Sequence, residues 1–444
     1  MIEITAVGGY SEVGKNMTAI KYKDEAVILD MGVHLESYIN FKGEDELELF
    51  DYDELRNAGA VPDDTPIKQW KGKVIAIIPS HGHLDHIGAI QYMAGRYNCP
   101  IICTPYTAAV IKAIIADKKT RIQNEIKILQ NNKKLRLSDS LTVEFVNMTH
   151  SIPDTATIVL HTPEGKVVYC NDYKFDNSPV IGDKPNYNRL KELGKEGKVT
   201  ALIIDSLYAN TERKTPSESV AKQMLKEVLL DTDSKGKAVI ITTFSSHIAR
   251  LKSIIEYGKQ MKRKVVFLGR SLAKYVKAAE SIGLVNFSKS VEIVPYKDQM
   301  GKKLKKIEKE GKDKYLIVVT GHQGEPDAVL SKIIDGKLHF KISQGDHIIF
   351  SCNVIPSPLN VANREALELK LMQKRARIFR DIHQSGHASR EDHREMINLV
   401  RPKNIIPGHV PPVQAEHMVE LCEKLGYKRN KNVFVLENGK KIEF

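Results

Sequence analysis

The feature that most constrains the fold of this chain is a loop that carries three histidines and one aspartate. The apolar, β-branched run 74–79 before the loop has the pattern of a buried strand, and the stretch after it has the periodicity of a helix. Imidazole and carboxylate groups concentrated at a strand end suit Zn²⁺ or Mn²⁺ and leave coordination positions for water. The sequence therefore predicts a sheet whose edge holds metal through His81, His83, Asp85 and His86.

The spacing within this loop predicts two adjacent metal positions. His81 and His83 point to the same side of an extended segment, because side chains alternate along a strand. Asp85 and His86 lie at the turn into the helix and can point to a neighbouring position. A solvated polar loop is the ordinary alternative, but the pattern H-x-H-x-D-H is far more specific than a single histidine.

Two metal ions need further ligands, and other strand ends offer them. His150, Asp172 and His409 each follow a run with the apolar or β-branched pattern of a strand. Taken singly, each would be an ordinary turn or core residue, but together with the loop they complete two ligand sets, and the carboxylate of Asp172 can bridge two ions. Asp30 also ends a strand-like run, and we expect it to orient a ligand histidine through the ring nitrogen that does not bind metal.

Residues 9–16 nearly match the phosphate-binding loop G-x-x-x-x-G-K-[ST] after a strand-like run. Asn16 stands where that motif places the hydroxyl residue that holds Mg²⁺. The run 17–22 has a strand pattern, whereas the motif needs the N-terminus of a helix to bind phosphate. The segment is therefore predicted to be a glycine-rich turn and not a nucleotide site.

The pattern of the sequence changes twice along the chain. Short strand-like runs separated by Gly, Pro and Asp dominate the first part, with an acidic stretch at 44–64 that we expect to be a surface loop or small lid. From a capped helix predicted at 215–229, strand and helix patterns alternate, which is typical of a parallel sheet. Short strands and histidine-rich loops are predicted again near the end. The pattern indicates a β-rich domain, residues 1–207 and 378–444, interrupted by an inserted α/β domain at 208–377.

Composition bounds the functional class. The chain has 67 Lys and Arg against 55 Asp and Glu, a net charge of +12, which suits a polyanionic partner such as nucleic acid or an anionic membrane face. The alternative is a lysine-rich solubilising surface. An apolar fraction of 42% excludes full-length disorder.

Five cysteines without a C-x-x-C pair exclude a disulfide scaffold and predict reduced thiols in a cytoplasmic protein. We expect no membrane segment, since no apolar run approaches the ~20 residues of a spanning helix.

Further motifs lie in sequence order at 203–206 (Ile-Ile-Asp-Ser), 242–247 (Thr-Thr-Phe-Ser-Ser-His), 321–326 (Gly-His-Gln-Gly-Glu-Pro) and 383–389 (His-Gln-Ser-Gly-His-Ala-Ser). Together with H-x-H-x-D-H and the later His and Asp residues, they resemble the metallo-β-lactamase fold and, within it, the β-CASP nucleases of the ribonuclease J family in a short, archaeal-type form. The resemblance covers nearly the whole chain, although His322 stands where Ser is expected. It implies an α/β fold, an αββα sandwich with an inserted β-CASP domain of a parallel sheet flanked by helices.

The resemblance also implies two Zn²⁺ per subunit, with Mn²⁺ or Mg²⁺ as alternatives, that activate water for in-line attack on phosphorus. It assigns one ion to His81, His83, His150 and Asp172, and the other to Asp85, His86, Asp172 and His409. The residues implied in catalysis are Asp85, Asp205 and His387, of which the last two transfer a proton to the leaving oxygen. The residues implied to hold phosphates beside the cleaved bond are Ser246, His383, Ser385 and His387.

By resemblance, the activity is 5′-to-3′ degradation of single-stranded RNA with a preference for a 5′-monophosphate, together with internal cutting, in RNA decay and processing. The partners implied are single-stranded RNA, further copies of this chain in a homodimer or larger homo-oligomer, and RNA-degradation or ribosome-associated proteins. Basic clusters at 262–264, 270–277 and 302–306 are expected to clamp the strand. The alternatives are a β-CASP endonuclease or DNA-repair nuclease, a small-molecule hydrolase, and a non-catalytic RNA-binding subunit.

Overall fold

The computed structural model describes residues 1–42, 50–118, 120–355 and 357–444. The chain forms two compact units. The first unit consists of Met1–Asn177, Gly182–Thr215 and Ser385–Phe444, and the second of Ser178–Ile181 and Pro216–Gln384. The domain limits predicted from the sequence, at 207/208 and 377/378, stay a prediction.

Strands dominate the first part of the chain. The strands are β1 (Ile2–Gly8), β2 (Met17–Tyr22), β3 (Glu25–Leu29), β4 (Val74–Ile78), β5 (Ile101–Cys103), β6 (Ile126–Ile128), β7 (Lys134–Arg136), β8 (Thr142–Asn147), β9 (Ala156–Thr162), β10 (Gly165–Cys170) and β11 (Val199–Asp205). The helices are α1 (Leu35–Lys42), α2 (Tyr52–Asn57), α3 (Leu84–Ile87), α4 (Ile90–Met93), α5 (Pro105–Lys118) and α6 (Tyr187–Glu196), with 3₁₀ helices at Thr65–Lys73 and Ala94–Arg96.

The second unit follows, and the chain then returns to the first. The strands of the second unit are β12 (Val239–Thr242), β13 (Lys264–Leu268), β14 (Glu292–Val294), β15 (Tyr315–Val319), β16 (His347–Phe350) and β17 (Arg377–Phe379). Its helices are α7 (Glu218–Leu229), α8 (Ile248–Gln260), α9 (Arg270–Ser281), α10 (Lys297–Glu310), α11 (Val329–Ile334) and α12 (Pro358–Gln373), with 3₁₀ helices at Phe287–Lys289 and Lys312–Lys314. The last elements are α13 (Arg390–Val400), β18 (Asn404–Gly408), α14 (Pro412–Lys424) and β19 (Lys441–Glu443). No helix in the described ranges is both long and apolar enough to cross a bilayer.

Two sheets pack face to face in the first unit. Their strand orders are β19-β1-β2-β3-β4-β5-β6 and β18-β11-β10-β9-β8-β7. Apolar side chains of both sheets, Ile4 and Phe145 among them, form the core between them. Each such buried side chain contributes about 1.5–3 kcal/mol. Leu190 of α6, Met396 of α13 and Met418 of α14 belong to a second core cluster with residues of the second sheet. This is the predicted metallo-β-lactamase sandwich.

The carboxyl ends of parallel strands assemble the candidate site. Strand β3 is parallel to β4, and β11 is parallel to both β10 and β18. Such ends meet at one edge of a sheet, where α/β folds commonly bind ligands. Asp30 follows β3, the loop 81–86 follows β4, Asp172 follows β10, Asp205 ends β11 and His409 follows β18. The topology therefore gathers residues that lie far apart in the sequence.

The second unit has a single six-stranded sheet of order β14-β13-β15-β12-β16-β17. All its strand pairs are parallel, as the alternating pattern predicted. Helix α7 begins where the sequence indicated, because the Ser217 hydroxyl caps it by accepting the Ser219 N–H. The inserted parallel α/β domain of the prediction is confirmed.

The acidic stretch and the end of the chain are more helical than predicted. Residues 43–49 lie outside the described part, but Asp51 and Glu54 form a capping box that starts α2, so the acidic residues there are a helix signal. Near the end, α13 and α14 occupy much of what the sequence pattern assigned to strands and loops. A capping box of Ser389 with Asp392 starts α13, and Pro412 lies in the first turn of α14.

Candidate metal centre and active site

Three of the predicted site residues adopt a left-handed backbone conformation just after a strand. Their φ angles are 59° for Asp30, 52° for Asp172 and 63° for His409. This conformation costs an L-residue on the order of 1–2 kcal/mol, less for Asp than for bulkier residues. Backbone strain persists where the surrounding structure demands it, and it clusters at functional sites. The strain indicates that these strand ends are built to present their side chains.

The first predicted ligand set converges on one position. His81, His83, His150 and Asp172 each offer a ligand atom there. His83 Nδ1 lies 3.1 Å from His81 Nε2 and 3.1 Å from His150 Nε2. Asp172 Oδ2 lies 3.6 Å from each of those Nε2 atoms. Ligand atoms around a tetrahedral Zn²⁺ with bonds of about 2.0–2.1 Å are about 3.3 Å apart, so the four residues fit a zinc ion.

Hydrogen bonds determine which ring nitrogen faces this position. The Ser80 hydroxyl donates to Asp30 at 2.9 Å, so its oxygen accepts the Nδ1 proton of His81 at 3.0 Å. His150 donates its Nδ1 proton to the carbonyl of Gly386 at 2.7 Å. Both rings therefore turn an unprotonated Nε2 towards the ligand position, as metal binding requires.

The three histidines of this set are neutral before a metal arrives. Burial is the largest cause, and it holds the pKa of His81 and His150 well below the usual value while neighbouring imidazoles lower it further. Burial likewise lowers the pKa of His83 to about 4, although the negative charges of Asp85 and Asp172 act to raise it. Neutral imidazole is the form that ligates metal, so no proton has to be displaced at pH 7.

The second predicted ligand set shares Asp172 with the first. Its members, Asp85, His86, Asp172 and His409, also offer converging ligand atoms. His86 Nε2 lies 3.1 Å from Asp172 Oδ2 and 3.6 Å from Asp85 Oδ2, and His409 Nε2 lies 4.0 Å from the same Asp85 oxygen. Asp30 accepts the Nδ1 proton of His86 at 2.7 Å, which is the contact expected of it and leaves His86 Nε2 for metal.

Asp172 lies at the centre of both sets. It is 1% exposed, and within the described residues its Oδ1 has no hydrogen-bond partner. A buried carboxylate oxygen without a partner is costly unless a cation lies beside it. Burial by itself raises the pKa of Asp172, but His409, His86 and His387 outweigh it and hold the pKa well below the usual value. An anionic, bridging Asp172 fits two divalent ions.

Asp205 and His387 form a pair at the edge of this centre. His387 donates its Nδ1 proton to Asp205 Oδ2 at 3.0 Å, and its Nε2 lies 3.9 Å from Asp172 Oδ2. By distance alone these three residues also form a potential cation site, but the hydrogen bond occupies Nδ1 of His387. Burial lowers the pKa of His387, whereas Asp172 and Asp205 outweigh it and raise the pKa to about 9. In the absence of a metal ion, His387 is therefore an imidazolium at pH 7.

The segment around His387 is held against the first ligand set by a glycine. A Cβ at Gly386 would lie 2.7 Å from His150 Nδ1 and from Ser151 Cβ, so only glycine allows the backbone to pass this close. The Ser385 hydroxyl accepts the backbone N–H of His387 at 3.0 Å. Ser385 thus shapes the turn that presents His387, and its predicted contact with phosphate stays a prediction.

Ser246 and His383, the other two residues predicted to hold phosphate, belong to the second unit. Ser246 lies in the turn before α8. Arg250 is fully buried and donates to both carboxylate oxygens of Glu218 at 2.6 and 2.8 Å and to the carbonyl of Ile382 at 3.0 Å. Its Nη1 also lies 3.4 Å from Nδ1 of His383. Arg250 therefore anchors the chain next to His383, and the roles of Ser246 and His383 stay predictions.

Two members of the predicted basic clusters have structural contacts instead. Arg263 is buried and donates to the carbonyls of Ser234 and Tyr315. Lys303 is buried as well and pairs with Glu292. Neither side chain is available to a phosphate in this arrangement. The exposed lysines of α10 remain the candidates of that cluster.

Sequence reasoning missed the small polar residues behind the ligands. Ser80, Asn16 and Asn171 have hydrogen-bond contacts with ligand histidines or with the residues that orient them. The available signals were weak: Asn16 ends the glycine-rich motif, and Ser80 and Asn171 directly precede the ligands His81 and Asp172.

Three known families match successive parts of the chain. Residues 11–213 match the metallo-β-lactamase superfamily, residues 236–367 match the β-CASP domain of ribonuclease J, and residues 372–436 match the Zn-dependent metallo-hydrolase RNA specificity domain. The fold, the converging ligand sets and these matches define a metal-dependent nuclease of the metallo-β-lactamase fold with a β-CASP domain.

Individual relatives narrow the class to a family. Ribonuclease J of Methanocaldococcus jannaschii is 44% identical over 100% of this chain and 99% of its own length, and ribonuclease J of Pyrococcus abyssi is 45% identical over 100% and 97%. The chain belongs to the ribonuclease J family. Ribonuclease J of Synechocystis sp. is 30% identical over 100% of this chain but only 65% of its own length. A crystal structure of a protein of unknown function from Enterococcus faecalis V583 matches with a TM-score of 0.64 and 18% identity over 99% of both chains, which supports the fold alone.

Proposed function

We propose that this protein is a zinc-dependent ribonuclease that degrades single-stranded RNA from the 5′ end, prefers a 5′-monophosphate and also cuts internally during RNA decay and processing. The observation that carries the proposal is the pair of ligand sets that share Asp172, with Nε2 of His387 only 3.9 Å from the shared carboxylate. RNA as the substrate is supported by what the relatives are and by the match to an RNA specificity domain.

The roles of the metal ligands follow the two converging sets. Two divalent cations held there would supply the Lewis acidity for activating water near neutral pH and for neutralising charge on the phosphoryl oxygens. Burial keeps His81, His83 and His150 neutral for the first ion. Burial also lowers the pKa of His86, but Asp172, Asp30 and Asp85 outweigh it and raise that pKa well above its usual value, so His86 gives up a proton when the second ion binds. Asp85 is 19% exposed, whereas Asp172 and His86 are buried, so Asp85 is the ligand best placed to contact the attacking water as well.

Asp205 and His387 are proposed to move the proton that the leaving oxygen needs. The hydrogen bond to Asp205 fixes the His387 ring, and its protonated Nε2 lies on the side of Asp172. A positioned imidazolium that donates a proton in the transition state contributes about 10²–10⁴-fold to a rate. His387 can also hold a phosphate oxygen before it donates, as the family pattern implies for Ser246, His383 and Ser385.

The setting proposed for this activity is the cytoplasm, where the protein acts as a homodimer or larger homo-oligomer with RNA-degradation or ribosome-associated partners. All five cysteines are free and buried, which suits a reducing compartment. Domain limits of 1–207, 208–377 and 378–444 remain our proposal for how the β-CASP domain is inserted.

Digestion of end-labelled substrates tests the proposal. Single-stranded RNA with a 5′-monophosphate, the same RNA with a 5′-triphosphate and a matching DNA, each labelled at the first nucleotide, are incubated with and without chelator. We expect labelled mononucleotide as the first product from monophosphorylated RNA, slower release from triphosphorylated RNA, and loss of both with chelator until Zn²⁺ is restored.

The other outcomes identify the alternatives. Long internal fragments alone would contradict the exonuclease and indicate an endonuclease. Equal cutting of the DNA would favour a DNA-repair nuclease, and tight RNA binding without metal-dependent cleavage would indicate an RNA-binding subunit. The variant Asp85→Ala serves as the control for contaminating nucleases.

A further inference from the structure

A chain of buried hydrogen bonds runs behind the second metal position, and the mechanism above does not use it. It links Asp30, Tyr169, Asn171 and Asn16, all of them at most 4% exposed. Asn16 closes the glycine-rich segment that resembles a phosphate-binding loop. The strand β2 that follows it confirms that the segment is a turn between strands.

The acceptors at the two ends fix the direction of every bond in this chain. Asp30 accepts only, so the Tyr169 hydroxyl donates to it at 2.7 Å, and the Asn171 amide must donate to the Tyr169 oxygen at 3.0 Å. The same amide nitrogen donates to Asn16 Oδ1 at 3.0 Å. At the other end the carbonyl of Asp85 also accepts only, so the Asn16 atom 3.1 Å from it is the amide nitrogen. The Asn16 amide therefore has one orientation.

In that orientation Asn16 covers Nδ1 of His409. Its Oδ1 lies 3.1 Å and its Nδ2 2.9 Å from that ring nitrogen, and the same Nδ2 lies 3.1 Å from His86 Nε2. Nδ1 of His409 lies 3.6 Å from Asp172 Oδ1, and its Nε2 lies 4.0 Å from Asp85 Oδ2. A histidine that binds metal through Nε2 carries a proton on Nδ1, and this proton needs an acceptor. Asn16 Oδ1 is at hydrogen-bond distance to accept it.

The glycine-rich turn brings Asn16 to this place. Gly9 has φ 84°, and a Cβ on it would lie 2.4 Å from Asn16 Oδ1, so the side chain folds under a position that only glycine can occupy. The carbonyl of Gly9 accepts the backbone N–H of His409 at 2.7 Å, and the backbone N–H of Asn16 donates to the Asp85 carbonyl at 2.9 Å. The turn thus contacts two ligands of the same metal position.

We propose that Asn16 is the positioning residue of His409, accepting the Nδ1 proton so that Nε2 faces the second metal. It would act towards His409 as Asp30 acts towards His86, and through Asn171 and Tyr169 it is joined to Asp30 itself. The inference rests on the two-metal part of the proposed function. The role of the segment 9–16 would then be to position a metal ligand and not to bind a nucleotide.

Zinc titration against a competing chelator, with no RNA present, tests the inference. Wild-type protein is expected to bind two equivalents. Asn16→Ala is expected to bind the first with unchanged affinity and the second about 10–100-fold more weakly, because partners of this kind typically have that effect on metal affinity. At limiting zinc its kcat falls in step with occupancy of the second site, while KM for RNA stays the same.

Two variants separate positioning from a general loss of stability. Asn124 donates to the carbonyls of Ala94, Tyr97 and Cys99, so Asn124→Ala removes a comparable amide in the same unit and is expected to lower Tm without weakening either zinc site. Asn16→Asp keeps an oxygen for the Nδ1 proton and is expected to bind the second zinc at least about fivefold more tightly than Asn16→Ala does.

The outcomes that overturn the inference are distinct from those that overturn the function. Unchanged second-site affinity in Asn16→Ala, or equal weakening in Asn16→Ala and Asn16→Asp, would refute the positioning role while the nuclease proposal stands. A wild-type protein that binds one equivalent would instead refute the two-metal centre. If Asn16→Ala does not fold, Asn16→Asp is compared with Asn171→Ala, which removes the amide that donates to both Asn16 and Tyr169. The inference then requires that Asn171→Ala weakens the second site more than Asn16→Asp does.

Discussion

The two units of the molecule end their parallel strands in different ways. In the first unit the residues after β3, β10 and β18 include Asp30, Asp172 and His409, with φ angles of 59°, 52° and 63°. In the second, Gly269 after β13 and Gly321 after β15 take positive φ angles of 144° and 113°. Glycine adopts such angles without a Cβ clash, whereas Asp and His are strained there. The first unit accepts strain after three parallel strands to present ligand side chains, whereas the second unit has glycine after β13 and β15. Asp381, which follows β17 with a φ of 57°, is the exception in the second unit.

The two units also differ in net charge. The first has 36 basic and 37 acidic residues, a net charge of −1, whereas the second has 31 basic and 18 acidic residues, a net charge of +13. The whole surplus of the chain therefore lies in the second unit. The second unit therefore supplies the long-range attraction for a polyanion, whereas the metal-ligand residues lie in the first unit, which is nearly neutral. This division predicts that hydrolysis and RNA binding can be lost separately.

Loss of a metal ligand should have the largest effect. Asp85→Ala or His86→Ala is expected to lower the single-turnover rate at least about 10³-fold, which corresponds to about 4 kcal/mol. The Kd for RNA should change by less than about threefold, since the charge of the second unit is untouched. Parallel cleavage and fluorescence-anisotropy titrations measure both. Undiminished turnover in the purified variant would refute the two-metal role.

The proton-transfer pair should come next. His387→Ala and Asp205→Asn are each expected to lower kcat about 10²–10³-fold while the protein keeps both metals. His161→Ala is the matched control, because it breaks another histidine–carboxylate hydrogen bond of the first unit, to Glu144 at 2.7 Å, and should leave kcat unchanged. Metal analysis decides the interpretation: zinc loss in His387→Ala would mean that this residue is a ligand.

A smaller effect is expected on the stability of the first unit. Burial raises the pKa of Glu144, but hydrogen bonds from His161 and Arg189 outweigh it and lower the pKa to about 2. Because the folded-state pKa lies below the ordinary value of 4.5, the stabilisation is complete above pH 4.5 and is lost as the pH falls towards 2. Glu144→Gln should lower the free energy of unfolding by about 2 kcal/mol at pH 7 and by less at pH 3.5.

Hydrogen exchange at both pH values locates that effect. Glu144→Gln should reduce protection of β8 and its neighbours in the first unit only. Glu218→Gln, which breaks the bidentate bond to buried Arg250, should reduce protection in the second unit only. Equal loss across both units in either variant would show that they unfold together.

Much of the site could be predicted from the sequence because its signals are local. The loop from His81 to His86 carries its own spacing, and a polar residue after a buried strand, as at Asp172 and His409, points to a sheet edge. The left-handed backbone at these strand ends and the contact of Asn16 with His409 could not be predicted, since that contact joins residues 393 positions apart.

The same limit explains the errors in the second unit and at the acidic stretch. Arg263 and Lys303 belong to basic runs, but a run shows charge and not burial, and both side chains are occupied by carbonyl or carboxylate oxygens. Asp51 and Glu54 have the spacing of a capping box, but the many acidic residues of the stretch indicated a surface loop, so the helix was not predicted. Ligands within one segment or at strand ends were predictable, whereas the burial of basic side chains and the hydrogen bonds behind the ligands were not.

The smallest expected effect concerns the charge of the second unit. Lys302, Lys305 and Lys309 are exposed on α10, and replacing all three with Gln should weaken RNA binding about tenfold and reduce the slope of log Kd against log salt by about 2, because each phosphate contact on a single strand contributes about 0.7. The rate at saturating RNA should not change. The matched control replaces Lys424, Lys428 and Lys431, three exposed lysines of the first unit, with Gln. An equal loss of affinity in the control would show that RNA responds to the total charge of the chain, and the assignment of binding to the second unit would be wrong.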